Sequence, residues 1–395
     1  MKFADRMANI TPSQSLTIIA EVKELRRTGV EVIDFGQQGH TPTVAREAAA
    51  IMMNDAEGSF YSNSRGLPGL RQIIADKLSS ENGFMADPDT EMVVTVGAKQ
   101  GILTALLALL DRGDEVLLDD PGWISFAPMI QITGGTPVAV PLAEEHGFRS
   151  TAESFRERIT PNTRLLILCN PHNPTGRCLS RDELAEIADL AHEFDLHVLM
   201  DEAYEHFVYN AREFVSMASL PGMAERTITA QTVSKIYNMS GWRVGWVVAN
   251  GDIINQMLSI HTHSVSCPAT FSQAGAGAAI TAGIGEGDLA LGDIVANYEG
   301  QRDVMVNGLR NIDGVSCFMP EGAFFAFPNI SKFGMGSTDM SRYLLDQARV
   351  ATIPGSAFGK AGEGHLRVVF KSGVSEIERG IERIAEALSK LNVAG

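Results

Sequence analysis

The chain has 395 residues, of which 45% are apolar and 20% charged, and its formal net charge at pH 7 is −16. This length exceeds what one hydrophobic core usually holds, so we expect two domains. The composition is that of a globular protein and excludes a disordered chain or a coiled coil. The acidic balance argues against nucleic acid as a partner, because phosphate backbones are bound by basic surfaces.

Four cysteines are scattered along the chain without Cys-x-x-Cys spacing: Cys169, Cys178, Cys267 and Cys317. We expect free thiols, as in a reducing cytoplasm, rather than disulfides or a zinc site. The first fifteen residues lack the apolar core of a signal peptide, and no apolar run reaches the length of a membrane span. The sequence therefore predicts a soluble cytoplasmic protein with no membrane partner.

From about residue 70 to residue 260, short apolar runs alternate with amphipathic segments. In chain order, the predicted strands are "EMVVTV", "DEVLLDD", "TRLLILCN", "LHVLMDEA" and "RTITAQTV". The predicted helices between them are "KQGILTALLALLD", "ISFAPMIQITG" and "SRDELAEIADLAHEFD", and the last has Ser180 and Glu183 at capping-box spacing. Nearly continuous apolar strands separated by helices predict an α/β fold with a mostly parallel sheet covered on both faces.

After residue 285 the pattern changes. A long helical segment, "LALGDIVANYEGQRDVMVNGLRNI", is followed by three short strand-like segments, "VSCFMP", "AFFAFPNI" and "HLRVVF", and by a final helix, "SEIERGIERIAEALSKL". This mixed order predicts a smaller α+β domain. We expect an N-terminal arm with part of the small domain at 1–45, a large ligand-binding domain at 46–285, and an interdomain helix with the small C-terminal domain at 286–395.

Polar or aromatic residues follow five of the predicted strands directly. They are "GAK" at 97–99, Trp123, "NPHNPTG" at 170–176, Asp201 with Tyr204, and Lys235. Ligands of open parallel sheets bind at the carboxyl ends of the strands, so we expect these groups to meet in one site. Pyridoxal phosphate (PLP) uses the whole set, because it needs a lysine for its Schiff base, a carboxylate at its ring nitrogen and an anion site for its phosphate.

Each of these residues taken alone has an ordinary structural explanation. A single lysine is usually a solvated charge, Asp201 could cap a helix, and Trp123 could belong to the core. The "NPHNPTG" segment could be a cluster of turns, and "GAK" lacks the rest of a nucleotide P-loop motif. Their occurrence in order at successive strand ends favours the cofactor site.

Over nearly its whole length the chain resembles the aspartate-aminotransferase-like (class I/II) enzymes of PLP fold type I. The resemblance extends from "TPSQSLTIIAEVKELRRTGVEVIDFG" through "FYSNSRGLPGLR", "VTVGAKQGI" and "DEAYE" to "PGSAFG" and "HLRVVF". Its most specific motifs are "NPHNPTG" and "SKIYNMSGWRVGW". The resemblance implies a large domain with a mostly parallel sheet and a smaller α+β domain. It also implies ping-pong transfer of an amino group between an L-amino acid and a 2-oxo acid, in a homodimer with shared active sites.

The resemblance implies a role for each matching residue. Lys235 would hold PLP covalently and later move the proton at the substrate α-carbon. Asp201 would pair with the ring nitrogen, while Tyr204 and Asn173 would bond the phenolic oxygen and Trp123 would stack on the ring. The groups around the phosphate would be Ala98, Lys99, Thr232, Ser234 and Arg243, together with the partner subunit's Tyr61.

The substrate side of the site departs from the family pattern. Arg367 matches the arginine that grips the substrate α-carboxylate in a two-pronged geometry, and Gly36 and Asn173 would assist it. However, "GQQGHTP" stands where the family has "GEPDFDTP", and "HTHSVSCP" replaces a stretch rich in serine and threonine. Gln38, His261 and His263 are therefore the candidate contacts to the substrate side chain. Structural packing or plain surface exposure is an equally open interpretation of the two histidines.

These departures predict the substrate preference. If the segment is extended, the two histidines alternate on one face, and with the glutamine they offer hydrogen bonds without a fixed positive charge. We expect a donor with a polar, neutral or weakly charged side chain, because no second arginine matches the one that binds a side-chain carboxylate. No third ligand accompanies the histidines, so no metal site is expected.

Two other functions are compatible with the same motifs. The PLP scaffold also supports β- or γ-elimination, decarboxylation and cyclisation, so a PLP-dependent lyase is the main alternative to an aminotransferase. A non-catalytic PLP-binding regulatory protein is a third possibility, which the acidic charge disfavours.

Overall fold

The computed structural model describes residues 3–36, 40–284 and 289–391. Its strands are β1 (Met92–Thr95), β2 (Glu115–Asp120), β3 (Thr136–Pro141), β4 (Thr163–Cys169), β5 (His197–Asp201), β6 (Thr227–Thr232), β7 (Gly245–Val248), β8 (Phe325–Ala326), β9 (Ile353–Pro354) and β10 (Leu366–Val369). Its α-helices are α1 (Gln14–Arg27), α2 (Thr43–Asn54), α3 (Pro68–Lys77), α4 (Ala98–Leu109), α5 (Phe126–Thr133), α6 (Ala152–Arg156), α7 (Arg181–Glu193), α8 (Gly251–Ser264), α9 (Thr270–Gly283), α10 (Leu291–Arg310), α11 (Ser337–Ala348) and α12 (Val374–Leu388).

Seven strands form one sheet in the order β1-β7-β6-β5-β4-β2-β3. Neighbouring strands from β6 to β3 are parallel, whereas β7 is antiparallel to both β1 and β6. All five predicted strands of this region are present, and their carboxyl ends lie at the same edge because only β7 runs in the opposite direction. The prediction of a mostly parallel α/β sheet is confirmed.

The inner strands β4, β5 and β6 are buried on both faces, which explains why they read as continuous apolar runs in the sequence. Helix α7 shows how a capping box and an apolar stripe in the sequence determine where a helix begins and which of its sides packs on the sheet. The Ser180 hydroxyl accepts a hydrogen bond from the Glu183 N–H at 3.2 Å, and the Glu183 carboxylate accepts one from the Ser180 N–H at 2.8 Å. Leu184 and Ile187 of this helix are fully buried against the sheet.

A second, three-stranded antiparallel sheet has the order β8-β10-β9. The N-terminal segment joins this part of the chain, because Ile33 bridges to Val350 and Val22 and Val32 pack against Leu345. The predicted strand "VSCFMP" is wrong, since it contributes only an isolated bridge between Ser316 and Asn329. The segment ends in a proline, which has no N–H to continue a ladder.

Within the described residues, none of the helices has the length and apolarity needed to cross a membrane.

Candidate active site

Lys235 lies in the turn that follows β6, which is next to the central strand β5 in the sheet. Its Nζ is 5.0 Å from the centroid of the Tyr204 ring and 5.8 Å from that of Phe324. Burial lowers the pKa of Lys235 to about 8, because it disfavours the charged ammonium form. The nearby Asp201 carboxylate raises this pKa, whereas the positive charges of Lys371 and Arg367 lower it further. Because the charged form is disfavoured, this amine is available as a base and nucleophile near neutral pH.

Asp201 ends β5, directly beside the β4 residue Cys169. One carboxylate oxygen, Oδ1, accepts a hydrogen bond from the Ala203 N–H at 3.2 Å. The side chain is buried, and this burial raises the pKa of Asp201 to about 6. A buried carboxylate of this kind is stabilised by a cationic N–H placed next to it.

Arg367 lies on β10, and its Nη1 donates a hydrogen bond to Asn173 Oδ1 at 3.1 Å. The guanidinium carbon Cζ is 4.6 Å from the centroid of the Phe325 ring and 4.8 Å from that of Phe358. Desolvation lowers the pKa of Arg367 to about 10, so the group stays charged at neutral pH. Its Nε has no hydrogen-bond partner among the described residues. The arginine therefore retains a free donor for an anion.

The N-terminus of α4 lies beside two cations. Helix α4 begins at Ala98 after Gly97, whose φ of 74° is one that glycine adopts readily. A Cβ at Gly97 would collide with the Arg243 guanidinium, which donates to Val96 O at 3.1 Å and to Ser240 O at 2.8 Å. Lys99 follows in the first turn of the helix, and desolvation and the charge of Arg243 lower its pKa. Neither Lys99 nor Arg243 is among the residues that form ion pairs in the described part of the chain.

Thr232 and Ser234 lie at the end of β6, on the same side of the site. Together with Ala98, Lys99 and Arg243 they form a cluster that we call the phosphate corner. Their hydroxyl oxygens are 2.8 Å apart, and the Thr232 hydroxyl donates to Val244 O at 2.8 Å. On the other side, Trp123 packs edge-on against Phe126 with ring centroids 5.0 Å apart, and Lys99 Nζ lies 5.1 Å from the Trp123 ring. The phosphate-side residues predicted from the sequence are thus brought together.

A cavity of about 900 Å³ opens beside this corner. Its lining includes Lys99, Trp123, Arg243 and Phe358, whereas Lys235 is not among the described residues that line it. Because Phe358 also stacks on Arg367, the cavity adjoins the arginine that the sequence assigns to the substrate. A ligand of amino-acid size has room to approach the site from this side.

The two predicted histidines are arranged differently from the expectation. The segment is not extended: His261 and His263 belong to the last turn of α8, which continues the helical spacing of the buried Ile253 and Met257. His261 is fully buried with Nδ1 3.3 Å from Gln100 Nε2, and burial lowers its pKa. His263 is exposed. The prediction that the two histidine side chains lie on one face of an extended segment is therefore wrong.

Three further predicted residues lie outside the cluster or outside the described chain. Tyr61 is 85% exposed and makes no contribution to the site of its own subunit. Gly36 is exposed, and its N–H donates to Asp34 Oδ1 at 3.1 Å. Gln38 lies outside the described residues.

Sequence reasoning missed three side chains near Lys235 or Arg367. Phe324 lies under its Nζ, Phe358 stacks on Arg367, and Lys371 contributes to the electrostatics of the site. Phe358 stands in the quoted motif "PGSAFG", and Lys371 follows Arg367 by four residues, so alternation along the strand could have identified it.

The unpaired charges of these residues match the charges of one cofactor. Two cations without a carboxylate partner beside a helix N-terminus need an anion, and the buried Asp201 needs a cationic N–H. A phosphate and a pyridinium on one molecule satisfy both, and its aldehyde matches the low-pKa amine of Lys235. The protein is a PLP-dependent enzyme of fold type I.

More narrowly, the chain belongs to the family "Aminotransferase class I and II", whose model matches residues 29–384. It is 38% identical to the aspartate aminotransferase of Pyrococcus abyssi over 391 residues, which cover 98% of each chain. It is 36% identical to aromatic-amino-acid aminotransferase 2 of Thermococcus litoralis, with 99% of each chain covered. The crystal structure of the aspartate aminotransferase from Rhizobium meliloti superposes with a TM-score of 0.92 at 34% identity, covering 99% of this chain and 100% of that chain.

The prediction of an aminotransferase is therefore confirmed. The protein moves an amino group between an amino acid and a 2-oxo acid and uses PLP, as members of this family do.

Proposed function

We propose that Lys235, Asp201 and Tyr204 are the catalytic residues of this amino transfer, and that Lys235 moves the proton at the substrate α-carbon. The observation that carries the proposal is the position of the Lys235 amine over the adjoining Tyr204 and Phe324 rings, where burial lowers its pKa to about 8. A group whose pKa lies near the working pH is suited to both accepting and returning a proton.

Bound PLP supplies an electron-poor ring that stabilises negative charge at the substrate α-carbon. Asp201 would keep the ring nitrogen protonated, since its buried carboxylate is stabilised by a neighbouring positive charge. Tyr204 and Asn173 would bind the phenolic oxygen, and Trp123 would orient the ring. These residues would thus hold the cofactor in the state that accepts electrons.

The phosphate is held by the corner at α4 in this proposal. The N–H groups of Ala98 and Lys99 at the start of the helix face an anion, and Thr232, Ser234 and Arg243 add hydroxyl and guanidinium donors. The partner subunit's Tyr61 adds a donor from outside, which is consistent with its exposure in the single subunit.

Arg367 binds the α-carboxylate of every substrate, with Asn173 and the backbone of Gly36 beside it. Its free Nε and its stacking on two phenylalanine rings support this role. His261 Nδ1 lies 3.3 Å from Nε2 of Gln100, the residue after Lys99, so in this proposal it influences the site through Gln100. The assignments of Gln38 and His263 to the substrate side chain rest on the sequence alone.

The proposed assembly is a homodimer in the cytoplasm. Apolar side chains close to Tyr61 in the sequence, at Ile51, Met53 and Phe60, are exposed in the single subunit, which supports a two-fold interface in this region. The four cysteines are free, which supports a reducing compartment. Packing of Val22 and Val32 on Leu345 supports the division into 1–45 with 286–395 and a large domain at 46–285.

A single-turnover experiment tests the function. Purified protein loaded with PLP and mixed with one amino acid should release one equivalent of the matching 2-oxo acid per site, without ammonia or carbon dioxide. Turnover should continue only after a second 2-oxo acid is added. Release of ammonia or carbon dioxide as the main product would instead support the lyase alternative.

A further inference from the structure

The segment 358–361, which lies between β9 and β10, is bound by a carboxylate at the end of β2. Oδ2 of Asp120 accepts a hydrogen bond from the Lys360 N–H at 3.1 Å, and Oδ1 accepts one from the Ala361 N–H at 3.0 Å. Strand β2 belongs to the seven-stranded sheet, whereas β9 and β10 belong to the three-stranded one. The Asp120 side chain therefore joins the two sheets.

The contact is specific for a carboxylate at position 120. The Asp120 side chain is buried, and a buried carboxylate is unfavourable unless N–H donors compensate its charge. Burial raises the pKa of Asp120, whereas the two backbone N–H groups and the charge of Lys360 lower it. A Cβ at Gly359 would collide with the carboxylate, so the backbone approaches Asp120 more closely than any other residue type would allow.

The same segment carries a side chain of the substrate site. Phe358 O accepts a hydrogen bond from the Gly122 N–H at 2.8 Å, directly before Trp123. The Phe358 ring is buried, and its centroid lies 4.8 Å from Cζ of Arg367. Asp120, Trp123 and Phe358 also line the same cavity. Asp120 is thus connected to Arg367 through the position of the Phe358 ring.

Apolar packing joins the two sheets at this place without the carboxylate. A cluster of buried side chains contains residues from both parts of the chain, namely Leu142, Phe148, Phe327, Ile353 and Phe358. Since this cluster does not include Asp120, we expect the protein to fold when the carboxylate is replaced. The effect of the replacement should then appear in the placement of the segment 358–361.

We propose that Asp120 is a positioning residue for substrate binding: it holds the segment 358–361 so that Phe358 keeps Arg367 where the substrate α-carboxylate binds. The inference rests on the proposed function, in which Arg367 binds that carboxylate. An arginine side chain has several rotatable bonds, and restricting it in advance reduces the entropy that is lost on binding. Displacement of a substrate-binding group by about 1 Å can lower a rate about a hundredfold.

The test compares two ligands that differ only in the carboxylate. 2-Methylalanine has no α-proton, so it binds without amino transfer, and isopropylamine is the same molecule without its carboxylate. In the Asp120→Asn holoenzyme, the Kd of 2-methylalanine should rise about tenfold or more, while that of isopropylamine should change by less than about threefold. Both Kd values are measured from the change in PLP absorbance. Equal changes for the two ligands would overturn the inference.

Asp87→Asn is the matched control. The Asp87 carboxylate also accepts a hydrogen bond from a backbone N–H, that of Asp89 at 2.9 Å, but it lies in the turn before the amino end of β1. This variant should change neither Kd. Arg367→Lys should weaken 2-methylalanine selectively, and if it does not, the proposed role of Arg367 fails and the inference fails with it. If no amino acid yields a 2-oxo acid, the proposed function fails, whereas the two Kd values still report on Asp120.

Phe358→Leu removes the ring and keeps the backbone hydrogen bonds, so it does not depend on the folding of Asp120→Asn. It should also weaken 2-methylalanine and spare isopropylamine. If Asp120 acts through Phe358, the double variant should bind 2-methylalanine at most about threefold more weakly than the weaker of the two single variants. Losses that multiply in the double variant would overturn the inference.

Discussion

Replacement of Gly97 by alanine tests whether Arg243 binds the PLP phosphate, because the added methyl group would displace the Arg243 guanidinium. The backbone at Gly97 has φ 74° and ψ 162°, a conformation that costs a residue with a Cβ about 1–3 kcal/mol. The added methyl would also collide with the Arg243 guanidinium and displace it. Loss of one charge-assisted hydrogen bond to the phosphate costs about 1.5–3 kcal/mol, so the Kd for PLP should rise roughly ten- to a hundredfold.

Gly113→Ala is the matched control. Gly113 also has a positive φ, 98°, but nothing lies within 4 Å of an added Cβ. Both variants should lose thermal stability, whereas only Gly97→Ala should weaken PLP binding when the apoprotein is titrated with PLP and followed by absorbance. Unchanged PLP affinity in a folded Gly97→Ala variant would refute the assignment of Arg243 to the phosphate.

Three other predictions address the substrate, the buried carboxylate and the assembly. Arg367→Lys should lower kcat/KM for all amino acids alike, by roughly ten- to a hundredfold, and a change in selectivity alone would point to a side-chain role. The folded pKa of Asp201 is raised from 3.8 to about 6, so the native state binds more protons and its stability falls as pH rises through this window. Asp201→Asn should therefore stabilise the apoprotein by about 1–3 kcal/mol at pH 8 and much less at pH 4, and equal effects at both pH values in urea titrations would contradict this. Sedimentation should show a dimer at assay concentration, and an active monomer would rule out the shared site at Tyr61.

Much of the sheet could be predicted because its strands are buried on both faces and read as apolar runs. Two strands of the seven-stranded sheet were not predicted. The edge strand β3 is largely unburied and contains Pro137 and Pro141, so it lacks that signal. The short β7 follows directly after the "SGWR" motif, whose residues were interpreted as part of the cofactor site.

The site could be predicted where function fixes residue type at a strand end, as for Asp201 and Lys235. The last turn of α8 could not, because the letters "HTHS" are polar and conceal the helical spacing from Met257 to the buried His261. The surroundings of the Lys371 ammonium could not be predicted either, because they depend on which side chains lie next to it in the folded protein, and no sequence motif specifies them.

The most direct test of the central claim is to locate the lysine that holds PLP. Borohydride reduction of the holoenzyme, followed by peptide mass spectrometry, should place one pyridoxyl group per chain on Lys235, and Lys235→Ala should take up none at this site. Lys99 and Lys371 lie near the same site and serve as internal controls. Labelling of either one in place of Lys235 would contradict the account.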